Sequence, residues 1–141
     1  MNILILNWRD TKHPLAGGAE ISTHEHAKGW VDAGHSVTIF ASSFPGGPSR
    51  ETIDNIAIIR RGTHYTVHLW AFWYYLTVAR ANVDLVVDEF HFLPFFTPLF
   101  VGKKKLAFIH ETAEEVWFKN TSLPISLFGF ILEPLFFLLY H

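Results

Sequence analysis

The chain has 141 residues, 50% of them hydrophobic, so it can form one well-packed domain and is too short for a second full one. Its 11 basic and 13 acidic residues give a formal net charge of −2, which argues against a nucleic-acid partner. It contains no cysteine, which excludes disulfides, thiolate nucleophiles and cysteine-bound metals. The amino terminus lacks the pattern of a secretory signal, and a cytoplasmic location is the default expectation.

Five short apolar runs predict the strands of a sheet. Four of the five are continuous in Ile, Leu, Val or Phe, as expected of strands that helices cover on both faces. Longer segments with helical spacing separate them, which is typical of successive βα units and predicts parallel strands. The predicted strands are Asn2–Asn7, Ser36–Ala41, Ile56–Arg60, Asp84–Asp88 and Lys105–Ile109.

Helices are predicted between and after these strands. Glu20–Ala33 has apolar residues near one face and ends at Gly34, a suitable left-handed helix cap. The segment Phe44–Asn55, rich in Pro, Gly, Ser and charged residues, is predicted to be a surface loop. The other predicted helices are Tyr65–Arg80, the shorter Leu93–Val101, which contains a proline, and Ser122–Tyr140, which a proline should kink or break.

Right-handed crossovers would assemble these units into one doubly wound, mostly parallel α/β sheet, with residues 1–141 as a single domain. Ligands of such sheets bind outside the carboxyl ends of the strands. Three polar segments follow predicted strands, namely Trp8–Glu20, Glu89–Pro94 and His110–Glu115. We therefore expect the functional residues in these segments.

Gly17 and Gly18 stand at the start of the first predicted helix, in the segment HPLAGGAE. Adjacent glycines let the backbone approach a bulky ligand, and the amides at the positive end of a helix dipole favour a phosphate. The segment matches neither the dinucleotide fingerprint nor a Walker loop. A tight turn without a ligand is the alternative for the glycines. For Glu20 the alternative is stabilisation of the first turn of its own helix.

His110 directly follows a buried run, at the edge where doubly wound sheets bind ligands. Its ring can hydrogen-bond a substrate hydroxyl or act as a base near neutral pH, and the alternative is a histidine that ties down the loop with Glu111. Asp88 and Glu89 are adjacent acids at the end of the preceding strand. One is expected to face the cleft and the other a neighbouring loop, because adjacent strand residues point to opposite faces.

Nine histidines raise the question of a metal site. The closest pair in sequence, His24 and His26, points to different sides of a helix because the two residues are only two positions apart. No metal is therefore expected.

Taken in order, these segments resemble family 4 glycosyltransferases over nearly the whole chain. The glycine motif is fairly specific in this context, whereas the Ala-Gly-His turn is common among proteins of the GT-B fold. The segments that carry the likeness are His13–Glu20, Ala33–Thr38, Phe90–Pro98 and Phe108–Glu111.

The resemblance implies the N-terminal, acceptor-side half of a GT-B fold, in which two Rossmann-like domains face each other across a cleft. It also implies transfer of a sugar from a nucleotide-sugar donor to an acceptor hydroxyl, with retention and without a metal or other cofactor. Gly17 and Gly18 would then lie beside the donor diphosphate and the transferred sugar. His110 would be the catalytic residue, and Glu20 and Glu89 complete the predicted substrate- and donor-binding set.

The C-terminal nucleotide-sugar domain of the family has no counterpart after His141. We therefore expect a hexosyltransferase-type enzyme whose N-terminal chain is inactive by itself, because the groups that stabilise the leaving diphosphate are missing. One alternative is a stand-alone module that binds a phosphorylated or glycan ligand without catalysis. Another is a sugar-nucleotide epimerase built on two such domains. The identity of the acceptor stays open.

The segment Leu123–Tyr140 is the most apolar part of the chain. Glu133 and Pro134 interrupt it, so a transmembrane span is not expected. Its apolar residues are too many for one face of a helix. We therefore expect helix 122–140 to make either a self-association contact or a peripheral contact at the inner face of the membrane.

Overall fold

All five predicted strands are present in the computed structural model, which describes residues 1–91, 93–111 and 138–140. A sixth strand, which was not predicted, is β3. The strands are β1 (Asn2–Leu6), β2 (Ser36–Ala41), β3 (Arg50–Ile53), β4 (Ile56–Arg60), β5 (Leu85–His91) and β6 (Lys104–Glu111). The described α-helices are α1 (Gly18–Asp32) and α2 (Val67–Tyr74), and a π-helical turn over Tyr75–Ala79 continues α2.

The strands form one sheet in the order β3-β4-β2-β1-β5-β6. All neighbouring strands are parallel except β3 and β4, which confirms the predicted doubly wound, mostly parallel, Rossmann-like α/β fold. The central strand β1 pairs with both β2 and β5. The carboxyl ends of β1, β5 and β6 consequently lie along one edge of the sheet.

Two helices cover opposite faces of this sheet. On one face Ala27 of α1 packs in a core with Ile5 and Val37. On the other, Val67 of α2 packs in a core with Leu4. Neighbouring residues of β1 belong to different cores because alternate strand residues point to opposite faces. Each inner strand therefore needs apolar side chains on both sides, which explains the continuous apolar runs.

The prediction of a loop over Phe44–Asn55 is wrong at its C-terminal end. Arg50–Ile53 forms β3 and pairs antiparallel with β4. Asp54 and Asn55 make the connecting turn, with φ values of 50° and 61°. Positive φ at both central positions is typical of a type I′ hairpin, and Asp and Asn tolerate it. The strand is hard to see in the sequence because a short edge strand with charged residues has no apolar run.

One helix prediction is wrong, and another lies almost wholly outside the described residues. Leu93–Val101 contains only a 3₁₀ turn at Thr97–Leu99, because it carries two prolines and because a buried carboxylate on β5 accepts two of its backbone amides. The predicted helix Ser122–Tyr140 lies outside the described residues, apart from residues 138–140. Among the helices that the described ranges contain, each is too short or too polar to cross a membrane.

The strands β5 and β6 extend beyond their predicted ends to His91 and Glu111. Glu89 and His110 therefore lie on strands rather than in loops. Glu89 pairs in register with Phe108 of β6, and His110 lies two residues further along the same strand. Since residues two apart share a face, Glu89 and His110 project from the same side of the sheet.

Candidate functional site

A cavity of about 480 Å³ lies at the carboxyl edge of the sheet, where β1 leads into α1. Its walls come from the loop after β1, from the first turns of α1 and from the ends of β5 and β6. This is where doubly wound sheets bind ligands. Four residues singled out in the sequence line it, namely Gly17, Gly18, Glu20 and His110.

The glycine pair forms the entrance to α1. Gly17 is the N-cap and Gly18 is the first helical residue, and both are exposed at the cavity. A Cβ atom at Gly18 would meet no atom within 4 Å. The amides in the first turn of a helix have no partner within the helix, and the helix dipole adds partial positive charge there. This part of the cavity therefore suits an anionic group.

Glu20 is buried beneath this loop. One carboxylate oxygen accepts a hydrogen bond from the Gly17 amide at 2.7 Å, and the other lies 3.2 Å from both Trp8 Nε1 and Arg9 Nε. Burial alone would raise the pKa of this carboxyl, but the amides of Gly17 and Glu20 and the charge of Arg9 outweigh burial and lower the pKa. Ionised Glu20 thus holds the loop, the indole and the guanidinium in place around the cavity.

Glu89 and His110 form a buried pair on neighbouring strands. His110 Nε2 hydrogen-bonds the Glu89 carboxyl and lies 3.2 Å from Thr23 Oγ1 of α1. Burial raises the pKa of Glu89 to about 8, even though Thr23 donates a hydrogen bond to it, so the pair retains a proton at neutral pH. His110 lines the cavity and Glu89 lies behind it. The carboxyl can therefore act on a ligand through the imidazole.

His91 lines the same cavity and was missed from the sequence. Its ring stacks on those of Trp8 and His110, at centroid distances of 5.4 and 4.7 Å. His91 is only 6% exposed, and within the described residues its Nε2 has no hydrogen-bond partner. Burial and the neighbouring His110 lower the pKa of His91 to about 4, so the ring is neutral. Strand alternation was the available signal, because His91 lies two residues after Glu89.

Asp88 points to the opposite face of the sheet from Glu89, which confirms the prediction that the two acids face different ways. It is fully buried and accepts hydrogen bonds from Phe95 N at 2.8 Å and from Thr97 Oγ1 at 2.8 Å. It also accepts from the Thr97 amide and from the Tyr140 hydroxyl. Burial raises the pKa of Asp88 in spite of these donors. This carboxyl organises the connection between β5 and β6.

A buried ion pair supports the loop that leads into the site. Arg60, at the end of β4, donates to both carboxylate oxygens of Asp10 at 2.6 and 2.7 Å. It also pairs with Glu51 of β3 at 2.6 Å. Asp10 lies two residues after Trp8, so the ion pair fixes the beginning of the segment that ends at the glycine pair. The unpredicted hairpin thus contributes to the geometry of the site.

A second cavity of about 180 Å³ adjoins the first and shares Trp8, Arg9 and Leu15 with it. His13 and His64 complete its mostly apolar wall. The two cavities together form a groove with a polar part beside α1 and an aromatic part beside His64. Such a groove suits a ligand with both polar and apolar surface.

Within the described ranges no three or more His, Asp or Glu side chains cluster as a metal site would require. His24 hydrogen-bonds Asp54 at 2.9 Å, whereas His26 Nδ1 lies 2.8 Å from the carbonyl oxygen of Ser22. The two histidines therefore contact different groups, as their spacing predicted.

The profile of Glycosyltransferase Family 4 matches residues 16–137 of the chain. The match covers the glycine pair, His91 and His110, and every described element from α1 to β6. No curated protein is significantly similar to the chain.

Proposed function

The chain belongs to glycosyltransferase family 4, and we propose that it is the acceptor-side domain of a retaining enzyme that transfers a hexose-type sugar from a nucleotide-sugar donor to an acceptor hydroxyl. The observation that carries this proposal is that Gly17, Gly18 and His110 line one cavity at the carboxyl edge of the sheet. In a nucleotide-sugar donor the diphosphate is attached directly to the sugar. A helix N-terminus beside an imidazole matches these two neighbouring groups.

In the proposed reaction the acceptor hydroxyl oxygen bonds to the anomeric carbon as the bond from that carbon to the nucleoside diphosphate breaks, and the hydroxyl proton passes to the departing diphosphate. Negative charge develops on the leaving diphosphate. The amides and the dipole at the start of α1 can stabilise part of this charge. The open space at Gly18 lets a phosphate approach the backbone closely.

His110 is proposed to contact the transferred sugar near the reacting carbon. Its hydrogen bonds with Glu89 and Thr23 fix the orientation of the ring before substrate binds. A preorganised imidazole is more effective in the transition state than one that must reorient. The neutral His91 ring forms part of the same wall and stacks on His110, so it can pack against the sugar.

The cavity of this domain has few positively charged groups that could stabilise the leaving diphosphate. Among the described residues that line the cavity, Arg9 is the only Lys or Arg, and it is ion-paired with Glu20. Charge on the leaving group that is not compensated lowers the rate. We therefore expect catalysis to need basic groups from a second, nucleotide-sugar domain, and weak or undetectable turnover by the isolated chain.

Two substitutions in the complete enzyme test this assignment. Gly18→Val should block the donor through its bulk, and His110→Ala should lower turnover by about 10²-fold to 10⁴-fold, the range that acid–base groups contribute. Folding should be kept in Gly18→Val, since a side chain there enters open space. It should be largely kept in His110→Ala, because Glu89 retains its hydrogen bond from Thr23. Steady-state kinetics and melting temperatures measured on the same preparations give both results.

The matched controls lie on α1. Gly29→Val changes another glycine with open space around it, and His26→Ala removes an exposed histidine outside the cavity. Both controls should retain turnover. Normal turnover in folded His110→Ala would contradict its assignment. A complete enzyme that binds a phosphorylated or glycan ligand but transfers nothing would favour the alternative of a binding module.

A further inference from the structure

An exposed apolar stripe runs along the outer side of α2. Val67 and Ala71 are buried against the sheet. Leu69 and Trp73 are 65% and 58% exposed, and Tyr65, just before the helix begins, is 82% exposed. Side chains four apart are neighbours on a helical surface, so Leu69 and Trp73 form one patch on α2, and together with Tyr65 they are called the α2 stripe. Contiguous exposed apolar groups of this kind mark an interaction surface.

Positive charges lie close to α2. The Arg61 guanidinium lies over the ring of Trp70 on α2, 5.7 Å from the ring centroid. Arg80 and Lys103 line a shallow cavity of about 430 Å³ at the C-terminal end of the helical segment. Cations therefore lie beside α2 at Arg61 and at the C-terminal end of the helical segment at Arg80 and Lys103.

Acidic residues are missing from this part of the sequence. Neither residues 61–83 nor residues 93–110 contain an Asp or Glu. The next acid along the chain, Asp84, accepts a hydrogen bond from the amide of Asn2 at 2.7 Å. A chain with a net charge of −2 thus presents a locally positive surface around its exposed aromatic residues.

We propose that the α2 stripe and its flanking cations dock on the surface of a bilayer that contains anionic lipids. Trp and Tyr rings favour the membrane–water interface, Leu buries in the acyl region, and Lys and Arg bind the headgroup phosphates. A second copy of the chain is a poorer partner, because a two-fold contact through this face would bring like charges together.

Docking in this way brings the candidate site close to the lipid surface. The His64 ring lies 3.8 Å from that of Tyr65, at one end of the stripe. On its other side the His64 ring is 6.1 Å from that of Trp8, which lines the cavity. Docking on lipid does not depend on the proposed transfer reaction.

Vesicle flotation of the full chain tests the proposal. We expect binding to vesicles of phosphatidylglycerol and phosphatidylcholine but not of phosphatidylcholine alone, and the binding should weaken as salt is raised. Leu69→Ser/Trp73→Ser should lower the partition coefficient about tenfold or more, because two inserted side chains are lost. The matched control Ile21→Ser removes an apolar side chain of α1 that is 58% exposed, and it should not change binding.

A second pair of variants tests the cations. Arg80→Gln/Lys103→Gln should weaken binding and reduce its dependence on salt. Lys12→Gln/Lys28→Gln makes the same change in net charge at lysines that pair with acids elsewhere, and it should have a smaller effect.

Absence of binding to the anionic vesicles would overturn the proposal, and so would equal binding by the Leu69/Trp73 and Ile21 variants. A change in molar mass of the Leu69/Trp73 variant in light scattering would identify a second copy as the occupant instead. A fall in its melting temperature would identify a contact within the chain. Transfer to a water-soluble acceptor should be the same in the Leu69/Trp73 variant and the parent enzyme, so failure of docking is distinguishable from failure of the proposed activity.

Discussion

The two faces of β5 carry adjacent carboxyl groups with different surroundings. On the α2 face Asp88 accepts hydrogen bonds from Phe95, Thr97 and Tyr140, and no part of it reaches the cavity lining. On the α1 face Glu89 bonds His110, which forms part of the cavity wall. Both carboxyls have a raised pKa because both are buried. A raised pKa therefore does not distinguish a structural acid from a functional one. The hydrogen-bond partners of the two carboxyls do distinguish them.

Substitutions on the two faces should therefore affect different properties. A change at Asp88 should mainly lower stability, and a change at Glu89 should mainly lower turnover. A carboxyl surrounded by backbone donors mainly stabilises the fold, because its removal leaves those donors buried without an acceptor. A carboxyl that orients an imidazole at a cavity mainly affects chemistry.

The largest effect on stability is expected for Asp88→Ala. It leaves the Phe95 amide and the Thr97 amide and hydroxyl without their acceptor, and it should lower the free energy of unfolding by about 3 kcal/mol or more. Urea unfolding measures this loss. Asp32→Ala, an exposed acid at the end of α1, should change the free energy by less than about 0.5 kcal/mol. A small change in the free energy of unfolding of Asp88→Ala would contradict the structural role of Asp88. Loss of turnover in the folded fraction of this variant would do the same.

The next largest effect is expected for Glu89→Gln, and it should fall on activity. Gln keeps the shape of the side chain but cannot exchange a proton with His110, so turnover of the complete enzyme should fall about tenfold to a hundredfold. Below about pH 5 the melting temperature should stay near that of the parent protein, because Gln resembles the protonated carboxyl. Unchanged turnover in Glu89→Gln would show that Glu89, like Asp88, has a structural role only.

The pH dependence of stability gives a second test of Glu89→Gln. The ordinary pKa of 4.5 for Glu89 is raised to about 8 in the folded chain, so the folded state binds the proton more tightly than the unfolded state does. The stability contributed by this proton is complete below about pH 4.5 and is lost as pH rises to about 8. Relative to Glu89→Gln, the parent protein should therefore lose stability over this range, which urea unfolding at pH 5, 6.5 and 8 would detect.

The smallest effect is expected for His91→Phe. Phe can keep the stacking on Trp8 and His110 but lacks the ring nitrogens of this cavity-lining residue, so KM should rise about tenfold with little change in melting temperature. The pKa of His91 is lowered from 6.5 to about 4, so its neutral form contributes stability that is lost as pH falls through this range. The stability of the Phe variant should not show this contribution to the fall between pH 6.5 and 4. An unchanged KM would show that His91 does not contribute to substrate binding, which would leave Glu89 and His110 as the functional residues on this face.

Much of the fold is predictable from local sequence features. Apolar runs, the helical spacing of Glu20–Ala33 and the cap at Gly34 depend on residues close together in the chain, and they placed the five main strands and α1 correctly in order. The hairpin strand Arg50–Ile53 was missed because it is stabilised by pairing with β4 and by the ion pair of Glu51 with Arg60. Neither contact has an apolar signal in the sequence.

The candidate site also contains residues that the sequence predicted and residues that it did not. Gly17, Gly18 and His110 were identified from their positions after strands and from the family resemblance, since the carboxyl edge of a doubly wound sheet is known once the strands are known. The burial of Glu20 under its own loop and the stacking of His91 on Trp8 were not predictable. Local sequence patterns therefore establish the order of the elements and the sheet edge that carries the cavity. Contacts in the folded chain establish which polar groups meet there, because strand register and helix packing bring together residues 8, 20, 91 and 110, which are far apart in the chain.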